Sequence, residues 1–291
     1  MIRTINEFIS RIKDDLANWK AGTKPWFRGE STNDPPLCPK IAQHGANIVI
    51  ASRKMEHLES GKSEIEQEGS EVMIHQLDIR EHKAVKELLN EVLDRYGKID
   101  ILVNNAAGNF IYPSDKLPFA GWKAVIDIVL NGSFYCSQIF GNQMIKQNRG
   151  QILNILATYA WTGGPGTIHS ACAKAGVLAM TRTLAVEWAS HNIRVNAIAP
   201  GPFETQGANE RLWPSDDIRQ SIVKQIPAGR FTTTEEVAQA ALYLVSPYSA
   251  YITGECLVID GGGWLGKGIT ESADLIKKVM DERRDKKRNS N

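Results

Sequence analysis

The chain has 291 residues, with 34 Lys and Arg against 33 Asp and Glu, 42% hydrophobic and 23% charged residues, and a formal charge of +1. That balance excludes wholesale disorder, and it supplies neither the basic footprint of a nucleic-acid binder nor strong attraction to a membrane surface. No apolar run reaches the ~18–20 residues of a membrane span, and Arg11, Lys13, Asp14 and Asp15 interrupt any signal-peptide core.

In chain order, the first predicted element is a helix. Thr4 and Glu7 make a capping box, and Ile5, Ile9, Ile12, Leu16 and Trp19 line one face. Lys24–Lys40 (KPWFRGESTNDPPLCPK) follows, rich in Pro and polar turn formers and without a strand-like run. From residue 46 strands and helices alternate. Ala46–Ala51 and Val72–Leu77 read as strands, and Arg80–Tyr96 as a helix with Val85, Leu88, Leu89, Val92, Leu93 and Tyr96 at helical spacing and Gly97 as its cap. Asp100–Asn104 is a strand, Phe119–Asn148 a helix with breaks, Gln151–Ala157 a strand and Ile168–His191 a helix. Ile193–Ala199 is a strand that runs into Pro200. Thr233 and Glu236 then cap a helix with Val237, Ala240, Ala241 and Leu244 on one face, before a last strand at Cys256–Asp260.

Continuous apolar strands alternating with helices imply a parallel sheet covered on both faces. The expected fold is therefore a doubly wound, Rossmann-like α/β domain whose ligands sit beyond the C-terminal strand ends. Gly261-x-Gly263-x-x-Gly266 satisfies a dinucleotide pattern, but no further strand completes a βαβ unit, so it reads as the loop after the final strand. Cys38, Cys136, Cys172 and Cys256 form no C-x-x-C, the pattern of buried reduced thiols in a cytoplasmic protein. His169 near Cys172 lacks further ligands at metal spacing. Asp281–Asn291 carries five basic residues among eleven and reads as a solvated end.

Several short motifs occur in a fixed order: ASR (Ala51–Arg53), LDIR (Leu77–Arg80), ILVNNAAG (Ile101–Gly108), the Lys174 helix, IRVNAIAPGP (Ile193–Pro202) and VIDGGGW (Val258–Trp264). Over residues 41 to about 266 this set resembles the short-chain dehydrogenase/reductase family. Common members place Tyr four residues before the catalytic Lys and Ser seventeen before it; here those positions hold Ser170 and Ala157. Tyr159 stands fifteen residues before Lys174, and Asn109 follows the NNAAG run. With ATYAW, HSACAKAG, LAVEW and APGPFE, that arrangement resembles the bacterial 2,4-dienoyl-CoA reductases of the family.

The resemblance implies a fatty acyl-CoA substrate and NADPH. Hydride delivered to the far end of a conjugated thioester pushes charge onto the thioester oxygen, which needs hydrogen-bond donors aimed at it. A Tyr hydroxyl and an Asn amide are suitable neutral donors. By the resemblance, Tyr159 and Asn109 hold that oxygen, Lys174 holds the nicotinamide ribose, and Ser170, one helical turn before it, places the nicotinamide or an ordered water. Arg53 stands where an acidic residue would hold the ribose hydroxyls of NAD, and suits the 2′-phosphate of NADP. Asp78 matches the adenine contact, Asn105 backs the cofactor ribose, and Pro200, Gly201, Pro202 and Phe203 lie near the carboxamide. Arg80 and Arg211 match positions at the CoA end of the substrate, and Phe110 the acyl pocket. No metal, nucleic-acid or membrane partner is implied, and a homo-oligomer, a homotetramer, is expected.

One unit of the family is missing. An apolar strand, a T-G-x-x-x-G-x-G turn and a helix should occupy about residues 21–44, but Gly29 is the only glycine between Gly22 and Gly45. The helix can begin no earlier than about Pro39. An amphipathic helix followed by WFRGES (Trp26–Ser31) and LCPK instead resembles the start of an FRG domain. The expected organisation is thus a foreign segment at 1–40, a reductase domain at 41–266 and a basic tail at 267–291. Loss of the first strand would leave two central strand edges unpaired. Thr23–Glu30 is the candidate for a makeshift strand, with Pro25, which lacks an N–H, ill suited to a central position. Weak NADPH binding follows from the lost turn. Another acyl-CoA or carbonyl reductase of the family, or an inactive homologue that only binds, remains open at this point.

Overall fold

The computed structural model describes residues 26–29, 37–203 and 215–265. The capping box at Thr4 and Glu7, Pro25, Arg211, Gly266 and the basic tail lie outside the described residues. A seven-stranded parallel sheet organises the fold, in the order β3-β2-β1-β4-β5-β6-β7. Its strands are β1 (Trp26–Gly29), β2 (Ile48–Ser52), β3 (Val72–Gln76), β4 (Ile101–Asn104), β5 (Gly150–Ile155), β6 (Ile193–Pro200) and β7 (Cys256–Ile259).

The central position is filled, which corrects the expectation of two unpaired edges and of a Lys24–Lys40 segment without a strand, and the strand falls within the Thr23–Glu30 candidate. Trp26–Gly29 pairs in parallel with both neighbours: Trp26 is opposite Ile48 and Ile101, and Arg28 opposite Ile50 and Val103. No pair of bare edges is left, and four residues of the segment expected to be foreign belong to the sheet. The physical reason is the demand of β2 and β4, whose inward N–H and C=O groups cannot stay unpaired in the interior. Helix α1 (Leu37–Ala42) also begins two residues before the expected limit at Pro39. Its Cys38, Ile41 and Ala42 are part of the core.

Side chains alternate across the sheet and both faces are buried. Ile48, Ile50, Ile101, Val103, Leu153 and Ile198 join one cluster, and Val49, Ala51, Leu102, Ile152 and Val195 the other. That two-sided burial is why these strands read as unbroken apolar runs. Helix α2 (Met55–Glu66), absent from the sequence reading, buries only Leu58 and Ile65. Helix α3 (His82–Tyr96) starts two residues later than expected and ends on Gly97 at φ 71°, whose N–H donates to Leu93 O at 2.8 Å. The long predicted helix breaks into α4 (Phe119–Ile126), a π-helical turn at Asp127–Asn131 and α5 (Gly132–Gln147). Beyond β5 come the single turn α6 (Tyr159–Thr162), α7 (Ile168–Trp188), α8 (Asp216–Val223) and α9 (Thr234–Val245). The capping box of α9 forms as predicted, with Glu236 N donating to Thr233 Oγ1 at 3.2 Å and Thr233 N to Glu236 Oε2 at 2.8 Å.

A buried polar network ties the layers together beneath the C-terminal strand ends. Asn104 Nδ2 donates to Ser137 Oγ and to Asn154 Oδ1, both at 2.8 Å. Asn154 Nδ2 donates to Thr181 Oγ1 at 2.8 Å, and Thr181 in turn donates to Val177 O. The network links β4, β5, α5 and α7. Removing its middle member strands a donor on Asn104 and an acceptor on Thr181, so Asn154→Ala is expected to cost about 2–4 kcal/mol. Thermal unfolding should register that as a fall of roughly 3–7 °C in Tm; an unchanged midpoint would show that the network is dispensable.

The cysteines are less uniform than expected. Cys38 and Cys136 are buried, but Cys256 is half-buried and Cys172 is exposed on α7. Burial pushes the Cys136 thiol up to about 12, which makes it unreactive. Among the described residues, no helix is long and apolar enough to cross a membrane.

Candidate active site

The strand order reverses between β1 and β4, so the crevice of this doubly wound sheet opens at their C-terminal ends. The elements leaving that edge bring together four residues that are distant in the chain. Tyr159, on α6, is 3.0 Å from Ser170 Oγ, and Asn109, in the loop after β4, places its Nδ2 3.5 Å from the same phenol oxygen. The Asn109 side chain is itself fixed, because its Oδ1 accepts from Phe110 N at 2.9 Å. Ser170 and Lys174 lie one turn apart on α7, 1% and 6% exposed. Lys174 Nζ donates to the Ile155 carbonyl at the end of β5.

Burial pushes the Tyr159 phenol above its ordinary value, and the hydrogen bond with Ser170 works against that shift. The phenol is therefore neutral, a donor and not a phenolate, through the physiological range. When Ser170 donates to the phenol oxygen, the Tyr159 O–H is released to point at a ligand. Tyr159 and the Asn109 amide then form two neutral donors side by side, which suits an oxygen that gains negative charge.

The positions expected to hold a cofactor divide into two groups. Asn105 is buried beside the end of β4, and Pro200 and Gly201 are buried at the end of β6. Gly201 N donates to Ile259 O at 2.8 Å, and a Cβ on Gly201 would lie 2.8 Å from the Asp260 Cα, so only glycine permits this approach. Pro202 O accepts from Thr232 N at 3.1 Å, and Phe203 bridges to Thr232. On the other side, Arg53 is exposed after β2, with its carbonyl accepting from Gln76 Nε2.

Two expected ligand contacts are engaged with each other. Asp78 gives both carboxylate oxygens to Arg80, at 2.6 and 3.0 Å, and that guanidinium, by hydrogen bonding, holds the carboxyl below its usual range despite partial burial. Arg80 also lines a cavity of about 410 Å³ with Glu81, Lys123, Asp127, Asn131 and Tyr135. Sequence reading missed Asn131, whose Nδ2 donates to Asp127 Oδ1 at 2.9 Å within the π turn. It also missed His169 as a packing partner: its ring is fully buried and meets Phe110 edge-on at 4.3 Å between centroids. The only signal for either was local, a break in a long helix and a histidine beside Ser170.

A nicotinamide dinucleotide tests this edge in two parts. Its nicotinamide ribose end fits the chemistry of the residues at this edge: Asn105, Ser170 and Lys174 are buried polar groups, and the Pro200–Gly201 corner is a close-approach backbone. Its pyrophosphate end does not. Between β1 and α1 the sequence reads ESTNDPP, with no glycine and two prolines that lack an N–H, and α1 has only six residues.

Comparison with known proteins identifies the family. The family described as enoyl-(acyl carrier protein) reductase matches residues 37–263. The chain belongs to the short-chain dehydrogenase/reductase family. A Bacillus subtilis (strain 168) relative, named probable 2,4-dienoyl-CoA reductase, (2E)-enoyl-CoA-producing, is 46% identical over 239 residues, covering 81% of this chain and 94% of the relative. A solved short chain dehydrogenase from Bacillus anthracis superposes with a TM-score of 0.77 at 44% identity, over 84% of this chain and 98% of that one. NAD+-bound xylitol dehydrogenase is similar at a TM-score of 0.77 and 26% identity, over 83% and 99% of the two chains.

Proposed function

We propose that this site reduces 2,4-dienoyl-CoA thioesters, with NADPH as the hydride donor. The observation that carries the reading is the Tyr159–Asn109 pair of neutral donors, backed by Ser170, in a family whose usual serine position is Ala157. An alcohol or ketone mechanism needs an acid that protonates an alkoxide, whereas a dienoyl thioester needs donors that stabilise negative charge on its oxygen and leave protonation to carbon. A bound nicotinamide, held by Asn105, Ser170 and Lys174, would supply hydride to C5 of the acyl chain. Electron density then moves through the conjugated system to the thioester oxygen, where Tyr159 and Asn109 stabilise it. A proton taken from solvent water at C4 yields the (2E)-enoyl product that the Bacillus subtilis relative's name specifies. Lys174, one helical turn after Ser170 and donating from Nζ to the Ile155 carbonyl, is the residue that holds the nicotinamide ribose.

The finer assignments follow the same reading. Arg53 stands where the 2′-phosphate of NADP would lie, Phe110 serves the acyl pocket, and Arg211, by its place in the sequence, matches the CoA end. Arg80 serves the CoA end only by exchanging its Asp78 partner for a ligand phosphate. Residues 41–266 form the reductase domain, and residues 1–40 are a segment of other origin, FRG-like, that donates β1 to its sheet. The protein is a cytoplasmic homo-oligomer. Incubating it with 2,4-hexadienoyl-CoA and NADPH should deplete the dienoyl absorbance with matching NADPH oxidation. Reduction of a 3-oxoacyl thioester in preference to the diene would replace this reading with an ordinary carbonyl reductase.

A further inference from the structure

The dinucleotide's two ends rest on different elements of this fold, and only one set is intact. Around the nicotinamide end, β4, β5, α5 and α7 are locked by the Asn104–Asn154–Thr181 network, and the β6 corner is pinned to β7 through Gly201. Around the phosphate end, three physical requirements fail together. A backbone that approaches a pyrophosphate closely needs glycine, and ESTNDPP has none. Successive N–H donors are needed, and Pro35 and Pro36 remove two immediately before α1. A helix dipole must point at the anion, and six residues make under two turns of it. Arg53 is exposed, so its contact with a 2′-phosphate has no second anchor to hold the adenosine beside it.

From this we infer that the chain recognises the nicotinamide nucleotide half of the cofactor alone, and that reduced nicotinamide mononucleotide serves it as well as NADPH. The inference rests on the proposed reading for the position of the nicotinamide but not for the identity of the acyl substrate. In a site with an intact phosphate cradle, each charge-assisted bond made only to the adenosine-side phosphate would separate the two ligands by roughly 10–150-fold in affinity. Here that separation should collapse.

The test is a pair of fluorescence titrations on the full chain, using the seven tryptophans as the reporter. Dissociation constants for reduced nicotinamide mononucleotide and for NADPH are expected within about tenfold of each other. Adenosine 2′,5′-bisphosphate at millimolar concentration is expected to leave mononucleotide binding unchanged. NADPH binding more than tenfold tighter, displacement of the mononucleotide by the bisphosphate, or no mononucleotide binding at all would each overturn the inference. Turnover separates the two readings. Mononucleotide binding without reduction of 2,4-hexadienoyl-CoA sinks the substrate assignment and leaves this inference standing. Reduction driven by NADPH and not by the mononucleotide does the reverse.

Discussion

Grafting a strand, a T-G-x-x-x-G-x-G turn and a full helix in place of residues 1–40 is expected to raise NADPH affinity by roughly 10²–10⁶. The graft restores three things at once: glycines that let the backbone reach the pyrophosphate, consecutive N–H donors, and the positive end of a longer helix. Titration of the unaltered chain should give a dissociation constant far weaker than micromolar, and the graft should bring it into the micromolar range. With the adenosine half now anchored, Arg53→Ala in the grafted protein should weaken NADPH by roughly 10–150-fold and leave NADH unchanged. A micromolar constant for the unaltered chain would mean that the segment between β1 and α1 binds phosphate by a route the glycine argument does not cover.

The second large effect is chemical. Tyr159→Phe in the grafted protein should lower kcat by ~10²–10³, the usual scale for one donor to a developing oxyanion. Ser170→Ala should cost less, because it removes the partner that orients the phenol and not the donor itself. The raised Tyr159 value sets the pH dependence and its sign. A neutral phenol is required, and burial holds the proton on beyond the ordinary tyrosine value of about 10. Activity should therefore stay flat through neutral and mildly alkaline pH and fall only above that value. A kcat in Tyr159→Phe equal to wild type, or an alkaline fall centred near pH 8, would return Tyr159 to a packing role.

Much of this protein is legible in the sequence because its strands are buried on both faces. Ile48–Ser52, Ile101–Asn104 and Ile193–Pro200 read as interior strands, since nearly every position on them is buried and most carry apolar side chains. The residues of the site are legible for a different reason. Ser170 and Lys174 are one turn apart on a single helix, and Asn109 and Tyr159 each follow a strand that ends at the same edge of the sheet. Order of motifs and local spacing are enough to gather them.

What only the tertiary structure decided involves partners supplied from elsewhere in the chain. Helix α2 shows two buried residues in twelve, too faint a stripe to stand out without β2 and β3 beside it. Asp78 and Arg80 read as separate ligand contacts, yet two residues apart in a turn their charges meet each other first. The network through Asn104, Asn154 and Thr181 joins side chains up to 50 residues apart, and no local pattern announces it. β1 is the sharpest case. Trp-Phe-Arg-Gly carries no alternation, and an arginine falls between Ile50 and Val103, both fully buried. Its strand conformation comes from β2 and β4, whose backbone groups, closed off from water, impose pairing on whatever chain lies between them.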